Sequence, residues 1–222
     1  MRYDIISLFP EYFESPFNAS IIKRARDKGL IEIGLVNIRD FSQGRYHQVD
    51  DRPYGGGPGM VLMVEPVVEA IRSVKREGSH VVYLTPQGAP LNAAKCRSLG
   101  ETKDHIIFLC GHYEGIDQRA IDLEVDEEIS VGDFVLTSGC PAALLCVDAI
   151  SRFIPGVVGD AESVRMDSFE EGIFDALHFT RPEVAYGLSV PEVLISGHHA
   201  KINKWREECA REKTRQVRPD LL

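Results

Sequence analysis

The chain has 222 residues, 44% of them hydrophobic, with five cysteines and a formal net charge of -9. This length and apolar content suffice for one large domain or one and a half, and the acidic balance argues against a non-specific nucleic-acid coat. An odd cysteine count without a C-x-x-C pair argues against a disulfide framework or a structural zinc site.

The opening MRYDIISLFPEY has the pattern of neither a signal peptide nor a basic transit sequence. No apolar run reaches the length of a membrane span, since even residues 134–150 are interrupted by Ser138, Gly139, Pro141 and Asp148. A cytoplasmic protein with no membrane attachment is expected.

In chain order, YDIISLF reads as a buried strand ended by Pro10, and SIIKRARDKG as a helix stopped by Gly29. IEIGLVNI alternates as a strand. VEPVVEAIRSVKREG is a helix with Pro66 in its first turn and Gly78 after its last. There follow HVVYLT (strand), LNAAKCRSLG (helix), HIIFLC (strand), IDQRAIDLEV (helix or turn), EEISVG (strand) and PAALLCVDAISRF (helix). Strands alternating with helices imply an α/β domain with a largely parallel sheet, running to about Gly159.

Two segments break the order. Residues 39–62 lack a periodic element and carry Gly44, Gly55, Gly56, Gly57 and Gly59, and so long a loop is functional or disordered. Residues 160–172, DAESVRMDSFEEG, are polar and acidic, too poor in apolar groups to offset their own ordering entropy. Beyond them a small helical domain is expected. Its stretch from Lys201 to Arg218 holds seven Lys or Arg against three Glu, which suits either an anionic partner chosen by shape or a solvated helix face.

Three strand-to-helix turns contain glycine: TPQGAP, CGHYEGID and SVGDFVLTSGCP. Open α/β sheets bind ligands at the carboxyl ends of their strands, so these turns predict one pocket walled by backbone N–H and C=O groups, suited to a nucleoside. Three ordinary turns that need glycine for φ > 0 are the alternative. Neither G-x-G-x-x-G nor a P-loop is present. LCGHYEGIDQR packs Cys110, His112, Glu114 and Asp117 together, so a catalytic centre, a metal site and a backbone cradle all stay open at this point. By themselves Asp167 is one acid in a solvated run and Arg152 a surface charge on a helix.

The stretches VDDRPYGGGPGMVL, LTPQG, CGHYEGIDQR, SVGDFVLTSG, DAISRFIPGVVG and HFTRPEVAYGLSVPEVLISGHHAKINKWR, in this order, resemble the bacterial tRNA (guanine-N1)-methyltransferases of the SPOUT superfamily. The resemblance implies methyl transfer from S-adenosylmethionine to N1 of guanosine 37 in tRNA. It implies an α/β fold with a deep C-terminal trefoil knot, which periodicity could not supply because true knots are rare. It also implies a homodimer, each active site completed by the second subunit. On this reading residues 1–160 form the methyltransferase domain, 161–173 a flexible linker that orders when RNA arrives, and 174–222 a small helical tRNA-binding domain.

By the same resemblance the cofactor-binding residues are Leu84, Thr85, Pro86 and Gln87, then Gly111, Tyr113, Glu114 and Gly115, then Val131, Gly132, Phe134, Leu136 and Gly139. Asp167 is the general base and Arg152 the partner of guanine O6. A flipped guanine needs a wall, for which Asp50, Asp51 and Tyr54 are candidates. Arg24, Arg26, Lys201, Lys204, Arg206 and Arg211 are candidate phosphate contacts, with His178 and Arg181 in the second domain. Magnesium is associated with the family, but no ligand cluster assigns it to residues.

The chain departs from the family's pattern in three places. His112 stands where Arg is usual. Ser138 replaces a glycine, so its Cβ is expected to crowd the cofactor or restrict φ, and Cys140 replaces a carboxylate. The rival readings are a SPOUT ribose 2′-O-methyltransferase, a non-catalytic RNA-binding module with a vestigial pocket, and a Cys-His hydrolase built on Cys110.

Overall fold

The computed structural model describes residues 1–43, 46–159 and 164–222, and the chain divides into two compact units, Met1–Gly159 and Asp160–Leu222. The first unit alternates β1 (Arg2–Ser7), α1 (Ser20–Asp27), β2 (Glu32–Asn37), α2 (Val64–Val74) and β3 (His80–Pro90). It continues with α3 (Ala93–Thr102), β4 (His105–Cys110), α4 (Gln118–Glu124), β5 (Glu127–Ser130) and α5 (Cys140–Ser151). The strands form one sheet in the order β2-β1-β4-β3-β5, and every neighbouring pair is parallel. Alternating apolar runs and helices predict this α/β architecture.

Strand side chains alternate between two cores, the period-2 consequence of the pleat. Tyr3, Ile5, Ile106, Phe108, Val82 and Leu84 pack on one face with α1, α3 and α5. Ile6, Ile107, Leu109, Val81 and Tyr83 pack on the other with α2 and α4. β4, central in the sheet, is buried at every position, which is why HIIFLC reads as an unbroken apolar run.

Local boundaries depart from the sequence reading in three places. α2 ends at Val74, where Lys75 N–H donates to Ile71 O at 3.0 Å, and Gly78 belongs to a separate turn closed by Ser79 N–H on Arg76 O. β3 continues past Thr85 to Pro90, but its pairing with β5 shifts register between Leu84 and Ala89, so residues 85–88 bulge out of the ladder. The 39–62 segment is partly ordered: a 3-10 turn covers Ile38–Phe41, and Asp50–Asp51 pairs antiparallel with Val61–Leu62. Gly44 of that segment lies outside the described residues. Gly29 does stop α1, with φ +68 and Leu30 N–H donating to Ala25 O at 2.9 Å.

In the second unit, residues 161–163 of the expected linker lie outside the described residues. From Val164 on, the chain is organised by local contacts. Phe169 N–H donates to Ile173 O at 2.7 Å, the Ser168 hydroxyl donates to Asp175, and the Phe169 and Phe174 rings meet edge to face. A short hairpin pairs Val184–Ala185 with Leu188–Ser189. Its tip residues Tyr186 and Gly187 both have positive φ, as a tight two-residue turn demands. A one-turn helix, Glu192–Ile195, leads to α6 (His199–Val217). Phe174 N–H donates to Thr214 Oγ1 at 3.0 Å, and Phe179 lies against Trp205, which ties the segment to α6.

Candidate active site

The carboxyl ends of β3, β4 and β5 carry three loops that surround a cavity of about 410 Å³. The first loop is the 85–88 bulge, in which Gln87 N–H donates to Thr85 Oγ1 at 3.3 Å. Gly88 lies so close to β5 that a Cβ there would sit 2.4 Å from Ile129 N. No larger residue fits.

The second loop follows β4. Gly115 N–H donates to His112 O at 3.2 Å, and the turn needs Tyr113 at φ +59 and Gly115 at φ +133. A left-handed tyrosine is uncommon, and such strain clusters at functional sites. Asp117 closes the loop by capping α4, accepting from Arg119 N–H at 3.0 Å. Its carboxyl is held below the usual range by the Arg119 guanidinium.

The third loop joins β5 to α5. The Phe134 ring lies over Gly132, where a Cβ would come within 2.4 Å of it. Gly139 N–H donates to Gly111 O at 2.9 Å, and a Cβ on Gly139 would fall 2.8 Å from Cys110 Cα. The second and third loops are therefore locked backbone to backbone.

Every residue expected to hold the cofactor lines this cavity. So do Tyr83, His112, Gln118, Thr137 and Ser138, which the sequence reading left unassigned. His112, Thr137 and Ser138 were findable as neighbours within the same loops, whereas Tyr83 and Gln118 carry no local signal. Among the described residues the non-glycine positions with positive φ are Ser20, His47, Tyr113, Phe169 and Tyr186. Ser138 is not one of them, so its side chain imposes no φ strain, and its Oγ accepts from Cys140 N–H at 3.3 Å.

Cys110 is buried, and burial pushes its thiol well above the ordinary value. A thiol held protonated is a poor nucleophile, so the hydrolase reading loses its central group. Its hydrogen bond with the Cys140 thiol, helped by Ser138 and Ser7, brings Cys140 down to about 7. Cys140 is itself buried behind the cavity wall.

Asp50, Asp51 and Tyr54 do not line the cavity but ride on a segment docked beside it. Glu114 N–H donates to Met60 O, Leu62 N–H to Gly115 O and Asp117 N–H to Leu62 O, each at 3.0 Å. Gly59 has φ +76, a left-handed conformation that favours glycine, and the exposed Glu114 side chain lies beside it. Tyr54 is fully exposed at the start of the glycine run.

The remaining candidates are distributed over both units. Arg152 is the C-cap of α5 and half-buried. Asp167 is half-buried in the second unit. Arg24 is exposed on α1, while Arg26 donates to Phe17 O and Asn18 Oδ1, both at 3.0 Å, fastening the chain before α1. Lys201, Lys204, Arg206 and Arg211 are exposed on α6. Arg181 is exposed, and His178 pairs with Asp175 at 2.7 Å. Among the described residues no group of three or more His, Cys, Asp or Glu could hold a metal ion, and no helix is long and apolar enough to cross a membrane.

A family model described as tRNA (Guanine-1)-methyltransferase TrmD matches residues 1–222. A tRNA (guanine-N(1)-)-methyltransferase of Protochlamydia amoebophila is 61% identical over 222 residues, the whole of both chains. Proteins of the same name from Chlamydia muridarum and Chlamydia trachomatis are 57% and 55% identical over 221 residues. Of those two the chain spans 62% of the length. The chain belongs to the tRNA (guanine-1)-methyltransferase family.

Proposed function

We propose that the protein transfers the methyl group of S-adenosylmethionine to N1 of guanosine 37 in tRNA, giving 1-methylguanosine and S-adenosylhomocysteine. The observation that carries this, in a chain of this family, is the convergence of three loops on one cavity. Gly88 and Gly139 bring backbone where any Cβ would collide, and a Cβ on Gly111 would crowd Tyr83 at 3.1 Å. Such a backbone cradle fits an adenosine ring and an amino-acid tail. The residues that would hold them are Leu84 to Gln87 on the first loop, Gly111 and Tyr113 to Gly115 on the second, and Val131, Gly132, Phe134, Leu136 and Gly139 on the third.

When bound, S-adenosylmethionine supplies the electrophilic methyl carbon. The protein must supply position and proton chemistry. N1 of guanine carries a proton at neutral pH, so its lone pair is unavailable until that proton leaves. Asp167 accepts the N1 proton as general base. Negative charge then builds on O6, where the Arg152 guanidinium stabilises it. The base leaves its stack to reach the cavity, and Asp50, Asp51 and Tyr54 wall it by accepting from its N–H edge and by stacking. Arg24, Arg26 and the cations of α6 hold phosphates, with the second unit serving as the tRNA-binding domain.

The trefoil knot belongs to the same proposal. It is supported by the Gly139–Gly111 backbone lock and by α5 packing with β1 and β4 although the chain leaves the sheet at its β5 edge. A homodimer, with each site completed by the partner, is supported by uncovered apolar side chains on the first unit: Phe134, Val135 and Leu136 on the third loop and Leu145 on α5.

The test is one assay with radiolabelled S-adenosylmethionine and unmodified tRNA, followed by nucleoside analysis. Label in 1-methylguanosine is expected. Label in a 2′-O-methylated nucleoside would overturn the reading, and absence of cofactor binding by calorimetry would mean a vestigial pocket.

A further inference from the structure

Arg119 stands at the end of the second loop but outside the cavity which that loop walls. Gln118 lines the cavity, whereas Asp117 and Arg119, on either side of it, do not. The Arg119 side chain is 66% exposed. Asp117 holds it in place: Nε donates to Oδ1 at 2.9 Å and Nη2 to Oδ2 at 2.7 Å. So exposed an ion pair contributes little to stability. What it does fix is direction.

A guanidinium carries five N–H donors in a planar fork. Asp117 takes the side formed by Nε and Nη2, with one hydrogen from each. The end formed by Nη1 and Nη2 keeps three donors, and these meet no acceptor among the described residues. An end-on edge of this kind matches two oxygens of one phosphate. The pairing with Asp117 also removes in advance part of the side-chain freedom that such a contact would cost.

The surroundings of Arg119 say which phosphate. Its guanidinium lies within electrostatic reach of the Tyr54 hydroxyl and of Glu65. Tyr54 is fully exposed at the start of the glycine run, and that run leads into the 60–62 stretch hydrogen-bonded to Glu114, Gly115 and Asp117. Arg119 and Tyr54 therefore share the outer rim of the cavity. A base that enters the cavity leaves its sugar and flanking phosphates at the rim. The carboxylate of the cofactor has no such claim, because Arg119 does not line the space that takes the cofactor. The Asp117 carboxyl is held below the usual range, so it is charged at neutral pH. Without Arg119, a phosphate at this place would face a bare carboxylate.

We propose that Arg119 is an RNA-recognition residue: its Asp117-held guanidinium grips a phosphate flanking the target guanosine at the rim of the cavity. This rests on the methyltransferase reading above and adds to it a contact on the second loop itself.

The test measures equilibrium binding of unmodified tRNA over a series of salt concentrations, with S-adenosylhomocysteine saturating. The unaltered enzyme, Arg119→Gln and Arg119→Lys are compared. Each phosphate contact releases counterions, so the logarithm of affinity falls with the logarithm of salt by about 0.7 to 0.9 per contact. Arg119→Gln should lessen the slope by about that amount and weaken binding roughly five- to tenfold near 0.1 M salt. Arg119→Lys keeps the charge but not the fork, so it should keep the slope while losing part of the affinity. Cofactor affinity, measured by calorimetry, should be the same in all three. A neutral methylphosphonate placed on one side or the other of guanosine 37 locates the contact. On one of the two sides it should abolish the difference between the unaltered enzyme and Arg119→Gln.

An Arg119→Gln enzyme with unaltered affinity and slope overturns the proposal while methylation itself stands. Weaker binding with an unaltered slope also overturns it, since the contact would then be to a base edge. So does a loss confined to cofactor affinity, which would make the cofactor carboxylate the partner. A difference that survives both methylphosphonates places the phosphate elsewhere and overturns it too. If the unaltered enzyme makes no 1-methylguanosine, the underlying reading fails instead. Should Arg119→Gln melt at a lower temperature, the methylphosphonate comparison decides, because a general loss of fold is indifferent to a single phosphate.

Discussion

Asp167 is the residue on which the proposed chemistry turns, and its own surroundings do not advertise it. It sits half-buried in the second unit, a short step before the turn that Phe169 and Ile173 close. A general base contributes by being close to the proton it removes, so its substitution should spare what the first unit does alone. Asp167→Asn should leave S-adenosylmethionine binding nearly intact and lower turnover by a factor on the order of 10² to 10⁴. Calorimetry and single-turnover kinetics measure the two separately. A near-normal rate in the variant would remove the role. Arg152 poses the complementary question, since a cation meeting charge on O6 acts in the transition state. Arg152→Ala should lower the rate of methyl transfer more than it weakens tRNA binding, and the reverse pattern would make it a phosphate anchor.

Among elements, the bulge in β3 shapes the site most directly. The strand leaves its ladder after Leu84, makes the first cavity loop, and rejoins β5 at Ala89. Gly88 permits this by lying against the backbone of Glu128 and Ile129. A methyl at that place meets backbone, which cannot rotate away, so the bulge must shift. Gly88→Ala should cost about 1–3 kcal/mol of stability and weaken cofactor binding more than tRNA binding. Thermal melts with and without cofactor would show it, and a variant with unaltered cofactor affinity would mean that the loop tolerates displacement. This element also shows where the sequence was legible. Apolar patterning located the five strands: unbroken runs where both faces are buried, as in β4, and alternation in the edge strand β2. Glycine turns located the loops, because tight turns and close backbone approach require them. The same local signals could not place the end of α2, since Lys75 and Arg76 extend a helical pattern beyond the turn that stops it. They also missed the 184–189 hairpin, whose strands are two residues each and too short for a periodicity to register. Tyr83 was invisible as a cavity residue because its place there depends on packing under Gly111, a contact between strands.

At the scale of the whole molecule, two properties follow from how distant residues are joined. At the amino ends of the strands, His105 Nε2 donates to Asp4 at 2.8 Å, while Ser79 Oγ lies 2.7 Å from His105 Nδ1. Both Asp4 and His105 are buried. Burial lowers the His105 pKa, with Asp4 opposing and the cations of Arg76 and Arg2 assisting. The folded protein therefore binds a proton less readily than the unfolded chain, whose histidine titrates at about 6.5. The stability this gives is present above that value and is lost as pH falls through the folded one. His105→Gln should flatten the acid side of the melting-temperature profile below about pH 6.5, and an unchanged profile would rule the group out. The second property is assembly. The cavity belongs to the first unit and Asp167 to the second, and the proposed dimer completes each site with the partner's residue. A subunit carrying Gly88→Ala would then fail in its own cavity yet still lend Asp167, while an Asp167→Asn subunit would lend only its cavity. Each variant alone should be nearly inactive at a cofactor concentration that fills the unaltered cavity but not the one weakened by Gly88→Ala. If the two are mixed in equal amounts and allowed to exchange subunits, about half of the dimers are hybrids under random pairing. Each hybrid holds one intact site, formed by the normal cavity of one subunit and the Asp167 of the other. Activity should therefore return to about one quarter of that of the unaltered enzyme. A site made within one subunit gives the opposite result, because the two lesions then always leave one of them in every site. Exchange itself must be verified by a mass tag on one variant. Hybrid dimers without recovered activity would place Asp167 and the cavity it serves in the same chain.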